Sequence, residues 1–355
     1  MFIEIYLSNI YIVIFILPEK LFMQTIRWGI IGCGDVTEVK SGPAFQQAKN
    51  SELVAVMRRD RNKVIDYAQR HQVSHWYTNA QELIDDTLVD AVYIATPPES
   101  HKGYALQVAR AGKPVYVEKP MARNHAECLS MINACREASV PLFTAYYRRS
   151  LPRFLKVKSL LEESAVGAVR FVRIELYQPP FELDYQKTRL PWRVIPDIAG
   201  GGYFVDLASH TFDILDFYFG PVAQASGYAN NHAHLYPAED IVSCAFRFES
   251  GVLGSGIWCF TAAQKSDLIE IVGEKGKIVF STFSGDPIRL ITPHHTEQWD
   301  IKNPKHIQLP HIQSIVNELI GTGKCPSDGI SGARTSWVMD QILGEWREQQ
   351  KIRFS

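Results

Sequence analysis

From Ile26 to about Tyr147 the chain alternates between short apolar runs and longer amphipathic stretches, and nothing else in it constrains the fold as much. IRWGII (26–31), LVAVM (53–57), AVYIAT (91–96), PVYVEK (114–119) and PLFTAY (141–146) are rich in β-branched and aromatic residues and bounded by turn residues, so they read as strands. Between them, Lys63–His71, Ala80–Asp85, Gly103–Ala111 and His125–Ala138 repeat apolar residues at three and four, the period of a helix face. Strands that alternate with helices run parallel, joined by right-handed crossovers and covered on both faces. This half is expected to be a doubly wound α/β sheet.

The second half has a different rhythm. AVRFVRIELY (168–177), DIVSCAFRFE (240–249), VLGSGIWCFT (252–261), LIEIVGEKGKIVFST (268–282) and IRLITP (288–293) are long strand-like runs separated by tight turns such as Glu249-Ser250-Gly251. That meander predicts a large, mostly antiparallel open sheet. Helices are expected over Phe204–Phe219, Ile312–Leu319 and Ile330–Gln349. A length of 355 residues suits two domains, one over 23–147 and one over 148–355, with a cleft between them.

Composition narrows the function classes. Hydrophobic residues make up 46% and charged residues 21%, with a net charge of -1. That balance points to neither nucleic acid nor an anionic membrane as partner. None of the six cysteines forms a C-x-x-C pair, which predicts reduced thiols in a cytoplasmic protein. Residues 1–22 stand apart. The apolar run Ile10–Leu17 is too short to span a bilayer, and Glu4 with Pro18-Glu19-Lys20 fits a signal peptide poorly. Met23 opens MQTIRWGIIGCG, which reads as a domain start, so 1–22 is expected to be a non-native or disordered upstream extension.

Gly32-Cys33-Gly34 follows the first strand and opens a helix through Asp35 and Val36. The first glycine allows the tight turn, the second lets a pyrophosphate approach the backbone, and the helix start offers free N–H groups to the anion. The motif predicts a dinucleotide-binding turn. Thr37 stands at its last position, where glycine or alanine is usual. At the tip of the second strand an acid would grip the ribose of NAD, but here Arg58 and Arg59 precede Asp60. A guanidinium suits the additional phosphate of NADP, so NADP(H) is favoured, with NAD(H) the alternative. Asp60 then serves as an acceptor or as the cap of the next helix.

Three further stretches point at the cleft. Thr96-Pro97-Pro98 and His101 follow a strand at its carboxyl end, where ligands bind in such sheets. Glu118-Lys119-Pro120 ends the next strand, and the Lys119 ammonium can stabilise developing negative charge on an oxygen. After Gly200-Gly201-Gly202, Asp206 and His210 lie four apart on one helix face. A histidine beside an acid can trade a proton with a hydroxyl near neutral pH.

Together GIIGCG (29–34), ATPPESH (95–101), GKPVYVEKPMA (112–122), AYYRR (145–149) and AGGGYFVDLASH (199–210) resemble the Gfo/Idh/MocA oxidoreductase family in sequence and in order. The resemblance implies a Rossmann domain followed by an α/β domain with an open sheet, often used for homo-oligomer contacts in dimers or tetramers. It implies hydride transfer at a hydroxyl-bearing carbon of a sugar, polyol or related cyclic alcohol. By the same resemblance Lys119 is the catalytic lysine, and Asp206 and His210 fill the acid and histidine positions. Tyr146, Arg148, Trp192 and Arg193 are its candidate substrate contacts. The same scaffold also serves non-catalytic regulators and glycosidases that oxidise their sugar transiently. Retention of Lys119, Asp206 and His210 favours the enzyme. His232, His234, His294 and His295 bring no further ligand at convincing spacing, so no metal is expected.

Overall fold

The computed structural model describes residues 2–7, 10–15 and 25–354. An antiparallel hairpin joins β1 (Phe2–Leu7) and β2 (Ile10–Phe15). The rest of the expected extension 1–22 lies outside the described residues.

The first half forms a six-stranded sheet from β3 (Ile26–Ile31), β4 (Ser51–Met57), β5 (His75–Tyr77), β6 (Ala91–Ile94), β7 (Val115–Val117) and β8 (Leu142–Thr144). Their order is β5-β4-β3-β6-β7-β8, and every neighbouring pair is parallel. The helices are α1 (Gly42–Gln47), α2 (Arg61–Arg70), α3 (Ala80–Asp85), α4 (His101–Arg110) and α5 (His125–Glu137). All four residues of β6 are buried, as a strand covered on both faces requires. Asp60 caps α2 by accepting from the Lys63 amide at 3.1 Å, one of the two roles expected of it.

The second half begins with α6 (Pro152–Glu162) and continues through β9 (Val169–Tyr177), α7 (Pro196–Ala199) and α8 (Tyr203–Phe219). Its eight-stranded sheet adds β10 (Val222–Asn230), β11 (Ile241–Phe248), β12 (Leu253–Cys259), β13 (Ser266–Gly273), β14 (Lys277–Phe280), β15 (Ile288–Ile291) and β16 (Thr296–Trp299), in the order β10-β11-β12-β9-β13-β14-β15-β16. Within this sheet only the β9–β12 pair is parallel; its other neighbouring pairs form the expected antiparallel meander. Along β11 buried residues alternate with exposed ones, so one face is covered. Phe204 and Phe212 of α8 cover it, with ring centroids 5.1 and 5.6 Å from Trp258. Each such burial contributes about 1.5–3 kcal/mol. This packing fixes the helix that carries Asp206 and His210.

A second domain running unbroken to residue 355 needs correction. α9 (Leu309–Leu319) returns to the first half, where Ile312, Ile315 and Val316 join the core of Trp28, Phe45 and Tyr116. α10 (Gly329–Gln349) packs against α5, α8 and β10. The apolar stripes of these helices are legible in sequence, but which sheet they cover depends on the chain's path.

A buried ionic cluster ties the halves together. Arg149, just after β8, donates from Nε to both Asp213 oxygens at 3.0 Å and from Nη2 to Asp216 Oδ1 at 2.9 Å. Arg334 of α10 completes it at 2.7 Å from each Asp216 oxygen.

Candidate functional site

The cleft between the halves encloses about 990 Å³. Its floor begins with the glycine turn after β3. Gly32 has φ +92°, and a Cβ there would lie 2.6 Å from Thr96 Cγ2, so both the backbone and the neighbouring loop demand glycine. At Gly34 a Cβ would meet nothing closer than the Gly32 carbonyl at 3.9 Å, leaving space for a ligand against the backbone. Gly34, Asp35 and Val36 line the cleft, and the first amides of a helix have no intrahelical partner. The turn therefore fits a dinucleotide pyrophosphate. Cys33 is buried, and burial pushes its thiol up to about 12, which leaves it neutral.

Thr37 departs from the usual pattern without disturbing the turn. Its amide and Oγ1 both donate to the Gly34 carbonyl, at 2.9 and 2.8 Å. The chain then makes one π-helical turn over Thr37–Ser41 before α1. The close approach usually served by the third glycine falls at Gly42 instead, where a Cβ would lie 2.4 Å from Tyr67 Oη.

Arg58 and Arg59 both line the cleft at the tip of β4. Arg58 Nη1 donates to the Cys33 carbonyl at 3.0 Å, folding the guanidinium over the glycine turn. Arg59 is exposed.

Beyond β6, Thr96 and Pro97 line the cleft, but Pro98 is buried behind them. His101, expected either to contact a ligand or to make a local hydrogen bond at the helix start, does not line the cleft and is a buried strut. Its Nε2 lies 2.7 Å from the Thr96 carbonyl, and its Nδ1 lies 3.2 Å from the carbonyls of Pro120 and Met121. It joins the loops after β6 and β7. Burial lowers its pKa from the ordinary histidine value.

Glu118 and Lys119 leave the end of β7. Tyr93 and Gln308 both donate to Glu118 Oε1, the latter at 2.7 Å, and the Lys119 amide donates to Oε2 at 3.0 Å. Both carboxylate oxygens are occupied, so Glu118 orients the lysine that follows it. Lys119 Nζ crosses the cleft to Asp206 Oδ1 at 2.5 Å and to the Asp206 carbonyl at 3.1 Å.

Asp206 and His210 share a face of α8 but do not bond to each other, and the expected acid–histidine pair is corrected. Asp206 Oδ2 faces Arg193 Nε at 3.2 Å, so both of its oxygens serve cations. Burial pushes its carboxyl up, but Lys119 and Arg193 outweigh that and hold it below its usual range. His210 is held well below 6.5, first by burial and then by Arg148, Lys119 and Lys40. The imidazole is neutral at pH 7. Its Nδ1 is buried without a partner among the described residues, so Nε2 is the nitrogen available to a ligand in the cleft.

The remaining expected contacts divide. Arg148, Trp192 and Arg193 line the cleft, and the Arg193 guanidinium lies 4.5 Å from the Trp192 ring centroid. Tyr146 does not line it: its buried ring lies beneath His210, with centroids 6.1 Å apart. The adjacent Tyr147 takes the cleft position. Lys40, Leu207, Phe283 and Gln308 also line the cleft and were not legible as site residues. Lys40 leaves no signal beyond an exposed charge, and Gln308 arrives from the returning C-terminal segment.

The triple glycine serves packing. A Cβ at Gly200 would lie 2.4 Å from the Arg123 carbonyl, and the Gly202 amide donates to buried Glu239 at 2.7 Å. No group of metal-ligating side chains occurs among the described residues. No described helix is long and apolar enough to cross a membrane.

Residues 26–146 match the oxidoreductase family with an NAD-binding Rossmann fold, and residues 154–279 match the GFO/IDH/MocA C-terminal domain. The chain is 42% identical over 322 residues to Oxidoreductase P35 of Formosa agariphila, covering 90% of this chain and 98% of that protein. It is 30% identical over 257 residues to the trans-1,2-dihydrobenzene-1,2-diol dehydrogenase of Mus musculus, covering 71% of this chain and 74% of the relative. The solved aldose-aldose oxidoreductase from Caulobacter crescentus, complexed with glycerol, matches with a TM-score of 0.78 at 25% identity, covering 92% of this chain and 98% of that one.

Proposed function

The chain belongs to the GFO/IDH/MocA oxidoreductase family, and from that premise we propose that it moves a hydride between NADP(H) and a hydroxyl-bearing carbon of a sugar, polyol or related cyclic alcohol. The observation that carries this reading is the meeting of Lys119 with Asp206, beside His210, in the cleft that the glycine turn also lines. A bound dinucleotide supplies the hydride acceptor in oxidation and the donor in reduction.

The chain's own residues supply the proton and charge chemistry. In oxidation, neutral His210 takes the hydroxyl proton on Nε2 as the carbon gives up its hydride and the C=O bond forms. Lys119 donates a hydrogen bond to the same oxygen and stabilises the negative charge that develops there. Asp206 holds the Lys119 ammonium in position. Tyr147 and Phe283 flank the imidazole, with ring centroids 5.5 and 5.8 Å from it, and exclude water. In reduction the proton returns from His210 to the oxygen. The substrate class agrees with the sugar and diol activities named for similar proteins.

Arg58 and Arg59 support the preference for NADP(H), since a planar guanidinium pairs well with a phosphate. The test is a fluorescence titration of the nucleotide-free protein with NADPH and with NADH. Tighter binding of NADPH, lost in Arg58→Asp, is the expected result. Equal or tighter binding of NADH overturns the preference, and binding of neither overturns the oxidoreductase reading.

A further inference from the structure

Resting on that reading, the charge around His210 identifies what the substrate carries. Lys40, Lys119, Arg148 and Arg193 all line the cleft. Asp206 answers two of them, Lys119 at 2.5 Å and Arg193 at 3.2 Å. Glu118 is spent on Tyr93, Gln308 and the Lys119 amide. Asp35, Asp60 and Glu99 also line the cleft, but all three are exposed, and Asp35 and Asp60 belong to the dinucleotide end.

Arg148 stands apart from these compensated groups. It is 5% exposed, yet no carboxylate lies within 4.0 Å of its guanidinium among the described residues. Its Nε donates to the Thr282 carbonyl at 3.0 Å, and its Nη1 has no partner among the described residues. The guanidinium lies 4.6 Å from the Phe283 centroid and 5.1 Å from that of Tyr147. On its buried side, Asp213 is engaged through both oxygens by Arg149. The loop that holds it is fixed in turn: Asp267 accepts from the amides of Thr282, Phe283 and Ser284 at 3.0, 2.6 and 2.7 Å. A largely desolvated guanidinium without a counter-charge is costly, and a neutral sugar would leave it so.

We propose that the substrate is a sugar acid, whose carboxylate pairs with Arg148 while its reacting hydroxyl lies between Lys119 and His210. A carboxylate matches the guanidinium fork and is bound more strongly there than a hydroxyl. It also lessens the positive field that disfavours a proton on His210, so binding this substrate prepares the base for its task.

The test is calorimetry on the NADP+-saturated protein with D-glucuronate and D-galacturonate, set against D-glucose and D-galactose. At least tenfold tighter binding of the uronates is expected, kept in Arg148→Lys and lost in Arg148→Gln. Lys40→Gln, an exposed substitution, should weaken the same preference severalfold. Equal binding of acid and neutral sugar, no uronate binding, or a preference that survives Arg148→Gln each overturns the proposal. An NADPH titration on the same samples separates this outcome from failure of the dinucleotide reading, because the proposal can fall while NADPH still binds.

Discussion

Lys119 Nζ lies 2.5 Å from Asp206 Oδ1, although 87 residues separate the two along the chain. The loop after β7 and the first turn of α8 thus meet through one ion pair, and that pair aims the ammonium beside His210. Lys119→Met is expected to lower kcat/KM on a turned-over sugar by at least about 10²-fold. Asp206→Asn should cost a similar factor, and the double variant little more than Lys119→Met alone, because the two residues act as a unit. Fully additive losses in this kinetic cycle would separate their roles.

His210 gives the protein a pH signature with a definite sign. Its folded pKa lies well below the ordinary 6.5, so below pH 6.5 the unfolded chain binds a proton that the folded one refuses. Its contribution to stability is present above pH 6.5 and lost as pH falls toward the folded value. Melting temperatures of the native protein should therefore drop over that window, and those of His210→Gln should drop less. Oxidation should stay flat around pH 7, where the base is already neutral.

Glu239 predicts the opposite slope. Burial pushes its carboxyl up to about 7, above the unfolded value of 4.5, while the Gly202 amide donates to Oε1. The unfolded chain ionises first, so this group's contribution declines as pH rises from 4.5 through about 7. Glu239→Gln keeps an acceptor for Gly202 without the charge. It is expected to be more stable than the native protein at pH 8 by roughly 1–3 kcal/mol, with the difference vanishing near pH 4. Chemical denaturation at the two pH values decides it.

His101→Leu removes a strut rather than a ligand contact. The carbonyl that accepts from the imidazole N–H loses its buried donor, and the loops carrying Thr96, Pro120 and Met121 lose the ring packed between them. A cost of about 1–3 kcal/mol is expected in urea denaturation. kcat should fall with it, because Lys119 immediately precedes the loop His101 holds. A variant as stable and as active as the native enzyme would overturn the strut role.

The elements that local pattern controls were legible. The parallel strands and their helices follow from apolar periodicity and turn residues, and Ala80–Asp85 was found to its ends. β5 was not anticipated because HWY is too short to show a period. β10 escaped notice because AQASGYAN packs small residues at the sheet's edge. In the cleft, Lys119, Asp206 and His210 stood out because chemistry-bearing residues follow strand ends and a glycine run. Lys40 and Phe283 carried no such mark.

The sequence by itself determined the two sheets, the glycine turn and the residue types at the ends of β7 and along α8, because periodicity and turn chemistry act over a few neighbouring residues. Only the tertiary structure decided that Asp206 serves Lys119 and Arg193 rather than His210, that Tyr147 and not Tyr146 meets the cleft, and that Arg148 is buried without a counter-charge. Those outcomes rest on distances between residues far apart along the chain and on the loss of water around them, and neither is encoded in any short stretch of sequence.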